Sequence, residues 1–174
     1  MLPPALVKKF PKLSADGAQK TSEASQQYNC IAWSAKRDKE HWWEPKPQEP
    51  WDYWPQSIPD DYSFESFVLI FEKRGYKKCG LDSRFEFFYK KVALYADTEG
   101  FTHVCDQLNS GAWWSKLAAD EDIQHNSLEA LEGSIGNEYG KVQQVLKKRC
   151  WPWELLARVI FKLKEVFRKR ANMA

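Results

Sequence analysis

Three strand-like segments follow one another at short spacing in the middle of the chain: residues 91–96, 102–108 and 112–117. The turns between them are Asp97-Thr98-Glu99-Gly100 and Asn109-Ser110-Gly111. Parallel neighbours need a crossover of a dozen or more residues, so connections this short force an antiparallel meander. A helical pattern on either side then makes the chain α+β. At 174 residues there is enough chain for one domain with its own core.

The meander also fixes which side chains can meet. If Leu108 faces Gly111 across a two-residue loop, His103 sits opposite Lys116; a one-residue change in loop length puts Ser115 there instead. Either register leaves the third strand beside the histidine.

Upstream, Tyr28-Asn29-Cys30-Ile31-Ala32-Trp33 reads as a helix start, with Asn29 as N-cap and Cys30 in the first turn. A helix N-terminus and a nearby imidazolium both favour the reactive thiolate. A histidine can serve that thiolate as general base and then general acid. Cys30 as nucleophile and His103 as proton shuttle are therefore the expected catalytic pair, with Ser115 or Lys116 orienting the imidazole. Gln107 is too far along the strand to do so, and His125 is a weaker candidate from beyond the sheet. Tyr28 and the Cys30 amide would form the oxyanion site. The structural alternatives are a buried thiol, a strand histidine bonded to backbone, and a Tyr28 ring that staples the helix start.

Residues 28–33, 53–55, 92–96, 102–103, 114–117, 122–125 and 138–140 carry Tyr-Asn-Cys-x-Ala-Trp, Tyr-Trp-Pro, Val-Ala-Leu-Tyr-Ala, Thr-His, Trp-Ser-Lys-Leu, Asp-Ile-x-His and Glu-Tyr-Gly. Over about residues 28–149 this pattern resembles a family of uncharacterised bacterial domains. The order of a Cys-bearing helix, a strand and a His-bearing strand also resembles NlpC-type papain-like cysteine peptidases. That second resemblance implies a papain-like fold and a cysteine hydrolase or acyl transferase acting on a peptide, amide or thioester, without a cofactor. Ile31-Ala32 replaces the peptidases' Ser-Gly, and Ser115 falls near their third His or Asn.

Other features divide the chain. Residues 1–27 hold Pro3, Pro4 and Pro11 and a polar run, and are expected to be an irregular arm ahead of a domain spanning 28–149. Five prolines in residues 37–62 exclude long regular structure there. The aromatics Trp42, Trp43, Trp51, Tyr53 and Trp54 within it either line a glycan or peptide groove or pack over the first helix. Ser63 caps a second helix that ends at Gly75; residues 120–125 read as a turn or helical piece; Asn137 is read as capping a helix to about Lys148.

Residues 150–174 are expected to form a basic amphipathic helix. Leu155, Leu156, Val159, Ile160, Leu163, Val166 and Phe167 make one apolar stripe. From Lys147 onward the net charge is +7, against −5 for the rest. Residues 154–170 could hold a membrane surface or a protein, though docking on the chain's own domain is the commoner fate of such a helix. The acidic body offers no matching basic patch, which argues against nucleic acid. A non-catalytic binding module built on the aromatic loop and this helix is thus the rival to the hydrolase. Four scattered cysteines suggest neither zinc nor disulfides. No signal-like start or apolar span is present, giving an expectation of a cytoplasmic protein. Oligomeric state is left open.

Overall fold

A computed structural model describes residues 2–36, 41–50, 52–133 and 139–171. It is a mixed α+β chain built on a seven-stranded antiparallel sheet. In chain order the elements are α1 (Pro4–Lys9), α2 (Lys12–Asp16), β1 (Gln19–Lys20), α3 (Cys30–Lys36), β2 (Trp42–Trp43), β3 (Asp52–Tyr53), α4 (Phe64–Glu72), β4 (Lys77–Lys78), β5 (Tyr89–Ala96), β6 (Phe101–Gln107), β7 (Trp113–Lys116), β8 (Asp122–His125), a 3-10 turn (Leu128–Leu131), β9 (Lys141–Arg149) and α5 (Pro152–Ala171). The sheet order is β1-β8-β7-β6-β5-β9-β4; β2 and β3 form a separate two-stranded parallel pair. The expected three-strand meander is β5 to β7, and β8 extends it.

Helices cover both faces of the sheet. On one, Ile31 and Ala32 of α3 and Phe67, Val68, Ile70 and Phe71 of α4 pack on Val92, Leu94, Val104, Trp114 and Leu146. On the other, Leu6, Phe10, Leu13 and the 3-10 turn pack on Ala93, Tyr95, Cys105, Trp113, Ile123 and Val145. Successive residues along β5, β6 and β7 alternate between the two clusters, as the pleat requires. Because both faces are covered, residues 92–96 are all buried and show no polar alternation.

Several sequence expectations are corrected. The arm expected to be irregular is ordered from Pro4 to Lys20: Pro3 and Pro4 start α1, where a missing N–H costs nothing, and Leu6, Phe10 and Leu13 form a buried stripe, while residues 21–27 carry no helix or strand. Residues 122–125 are a strand, paired with both β7 and β1. Residues 141–149 are also a strand rather than a helix. Val142 and Val145 have helix-like spacing because the strand bulges: Tyr95 pairs with Val142 and Leu94 with Gln144, leaving Gln143 extra, so both valines face the same cluster. Asn137 and Trp51 lie outside the described residues. The β6–β7 register is Asp106 with Trp114 and Gln107 with Trp113, one residue from the register that pairs His103 with Lys116 and two from the one that pairs it with Ser115.

Other expectations match. Asn29 Oδ1 accepts from the Ala32 amide at 3.0 Å, as an N-cap should. Ser63 accepts from Ser66 N, and Gly75 takes φ +84° after α4.

Candidate functional site

The sheet separates the residues expected to work together. Cys30 belongs to the cluster under α3 and α4, with Val104 and Trp114. His103 points the other way, between Tyr95 at 5.6 Å and the Tyr139 ring, on which it stacks at 4.2 Å. Neither ring nitrogen reaches the thiol: Nε2 is bonded to Ser115, and Nδ1 has no hydrogen-bond partner. The expected Cys30–His103 pair is therefore not assembled.

The electrostatics agree. Burial pushes the Cys30 thiol up to about 11, outweighing the Val104 backbone contact and the Lys116 charge that favour the thiolate. Burial, then His125 and Lys9, holds His103 well below the ordinary imidazole value. A neutral thiol and a neutral imidazole are the reverse of an activated pair. Cys30 should consequently alkylate more slowly than an ordinary thiol at pH 7.5 and react freely only on unfolding. Residue-resolved mass spectrometry over a time course checks this; fast reaction at Cys30 that depends on His103 would contradict it.

His103, Ser115 and His125 form a buried chain whose protons can be assigned. His125 Nδ1 lies 2.7 Å from the Ser127 carbonyl, which only accepts, so Nδ1 carries the proton and Nε2 is bare. Ser115 Oγ, 2.9 Å away, must then donate to His125 Nε2. Its lone pair accepts from His103 Nε2–H at 3.0 Å. His103 thus donates where a general base would accept. The Ser115–His125 contact has the wiring of a nucleophile and its base, but His103, Ser115 and His125 are all at 0% exposure and no substrate carbonyl can reach them.

This chain links stability to pH. Burial lowers both His103 and His125 in the fold; the Ser127 bond and Asp16 only partly offset it for His125. Below about pH 6.5 the unfolded chain takes up protons that the folded chain refuses, so stability is complete above that pH and is lost as pH falls through it. Thermal unfolding between pH 7.5 and 5 should show this decline, and His103→Phe, which keeps the stacking on Tyr139, should flatten it. An equal slope in both proteins would contradict the assignment.

Tyr28 and Lys116 are on the Cys30 face but are occupied. The Tyr28 hydroxyl donates to Asp122 Oδ2 at 2.9 Å, which removes it from an oxyanion role. Lys116 Nζ lies 5.2 Å over the Tyr28 ring and donates to the Asp120 carbonyl, with Asp122 at 3.9 Å. Lys116 stands on the face away from His103 and cannot orient it. Trp43 and Trp54 are core residues, 1% and 7% exposed, so the aromatic loop serves mainly as a layer over α3 and α4. Among the described residues, no group of three or more His, Cys, Asp or Glu is placed to hold a metal ion.

The surface feature of the molecule is α5, held by its polar side. Arg158, 3% exposed, donates through Nη1 to the carbonyls of Glu86 at 2.9 Å and Phe87 at 2.7 Å, and its guanidinium lies 5.2 Å over Phe85. Glu154 pairs with Lys90 one turn earlier. Residues 154, 158 and 162 share one side of a helix at 3.6 residues per turn, and the apolar stripe is turned outward. Trp153, Leu156, Val159, Ile160 and Leu163 are 65%, 60%, 42%, 45% and 51% exposed. Trp151 and Trp153 stack at 5.2 Å at the helix start, both exposed. The expected docking of this stripe on its own domain is thus reversed; Val166 and Phe167 lie outside the described side chains. Composition revealed the stripe, but the buried arginine that inverts it has no sequence signal.

A family described as a domain of unknown function, DUF7689, matches residues 19–147. The chain belongs to that family. The match takes in β1 and ends within β9, so α5 lies beyond it. The chain matches no curated protein and no solved structure.

Proposed function

We propose that this chain is a non-catalytic binding module that seats α5 on an anionic membrane surface. The observation that carries the reading is the outward apolar stripe of a helix anchored through Arg158. Contiguous exposed apolar surface of this kind marks an interaction site. Charge decides what covers it. Lys164 and Arg168 are exposed beside the stripe, Lys162 stands at its anchored edge over Phe85, and the segment from Lys147 onward carries +7, with Lys147, Lys148 and Arg149 belonging to β9. Lysine and arginine heads rising beside a buried apolar stripe, with tryptophans at the edge, suit the boundary between acyl chains and anionic headgroups. Each such charge adds about 1 kcal/mol near an anionic leaflet. Among the described residues no helix is long and apolar enough to cross a membrane, so α5 would lie in the surface plane, roughly 30 Å long for its 20 residues.

The cysteine-hydrolase and papain-like readings draw no support from the site, because the thiol and imidazole they require face opposite ways. Sedimentation with vesicles tests the proposal: binding to phosphatidylcholine vesicles containing phosphatidylglycerol, little binding to phosphatidylcholine alone, and release at high salt. Equal affinity for both, or none for either, would overturn it.

A further inference from the structure

We propose that the cleft where the C-terminal ends of α3 and α4 meet β5, β6 and β9 binds a phosphate group. It is a cavity of about 370 Å³, lined by Ser34, Arg74, Tyr76, Lys90, Asp106 and Lys148. Arg74, Lys90 and Lys148 line it with one carboxylate, Asp106, and a second, Glu154, already pairs with Lys90. Arg74 and Lys148 are paired with no carboxylate among the described residues. Arg74 donates to the Ile70 carbonyl at 2.9 Å and lies 5.0 Å over the Trp43 ring, which leaves further guanidinium N–H groups for a ligand. Lys148 Nζ is 5.8 Å over the Tyr76 ring. Lys90, tied to Glu154 of α5, is the third cation.

The second observation is Ser34. It is 7% exposed, lines the cavity, and its Oγ has no hydrogen-bond partner. A buried hydroxyl without a partner costs free energy, and one lining a cationic cavity gains that partner from a ligand oxygen. A guanidinium fork, two ammonium groups and a hydroxyl suit a doubly charged tetrahedral oxyanion better than a carboxylate. The cavity is larger than a bare phosphate needs, so the group can be free or part of a small monoester.

The test is titration of the full chain with inorganic phosphate and with glycerol 3-phosphate, at ionic strength held constant with sodium chloride. Amide shifts of Ser34 and Tyr76 report binding by NMR. Saturation is expected, weakened at least tenfold in Lys148→Gln and in Ser34→Ala, with both variants unfolding near the wild-type temperature in chloride. Tighter binding of the monoester assigns an esterified phosphate; equal or weaker binding assigns the free anion. Shifts that do not saturate, or that both variants reproduce, overturn the proposal.

Discussion

Gly140→Ala should destabilise the fold by about 3 kcal/mol, the sum of a left-handed backbone cost of about 1–2 kcal/mol and a forced backbone shift of about 1–3 kcal/mol. Gly140 has φ +70°, and a Cβ there would lie 2.2 Å from the Ala96 carbonyl oxygen and 2.7 Å from its carbon. Neither atom is the flexible end of a side chain, so β5 or the entry to β9 must move. Tyr139, which stacks on His103, is the preceding residue, so the shift would also disturb the buried histidine chain. Gly80→Ala is the control. Gly80 has φ +66° but nothing within 4 Å of a Cβ, so only the conformational cost applies. In thermal unfolding the Gly140 variant should melt about 10 °C below wild type and the Gly80 variant only a few degrees below. Equal losses would contradict the close approach of Gly140 to β5.

Replacing Leu156, Ile160 and Leu163 together with glutamate should reduce partitioning onto anionic vesicles more than a hundredfold, while the unfolding temperature hardly changes. All three side chains are about half exposed in the fold, so the folded domain loses little. On a membrane each would be buried, and burying such a side chain is worth about 1.5–3 kcal/mol. Three together exceed about 3 kcal/mol even if burial is partial, and 1.4 kcal/mol is a factor of ten. Added negative charge near acidic headgroups acts in the same direction. Unchanged vesicle binding by a variant that unfolds near the wild-type temperature would mean that the stripe is not the contact surface.

The meander, the Asn29 cap and α4 were legible because each is set by local chemistry: short turns, a side-chain acceptor, a stripe closed by a left-handed glycine. β9 was not, because its bulge gives Val142 and Val145 the spacing of a helix face, and only pairing with β5 shows otherwise. The N-terminal helices were obscured by three prolines, although Leu6, Phe10 and Leu13 already had helical spacing. For the site, chain order placed Cys30 on a helix and His103 on a neighbouring strand, and both placements hold. What chain order does not encode is which side of the strand meets the helix. Val104 faces α3, so His103 faces away. The His103–Ser115 contact did form, but as a buried structural bond with His125 completing it. For α5 the stripe was plain and its direction was not, because direction depends on two backbone carbonyls at Glu86 and Phe87 that capture Arg158.

The most direct test places an environment-sensitive dye at position 160 through Ile160→Cys, with Glu65→Cys on α4 as the reference. Vesicles containing phosphatidylglycerol should shift the emission at position 160 to the blue and shield it from an aqueous quencher, leaving position 65 unchanged. If position 160 stays as accessible as position 65 with vesicles present, or is already shielded without them, α5 does not seat on the membrane through its outward stripe.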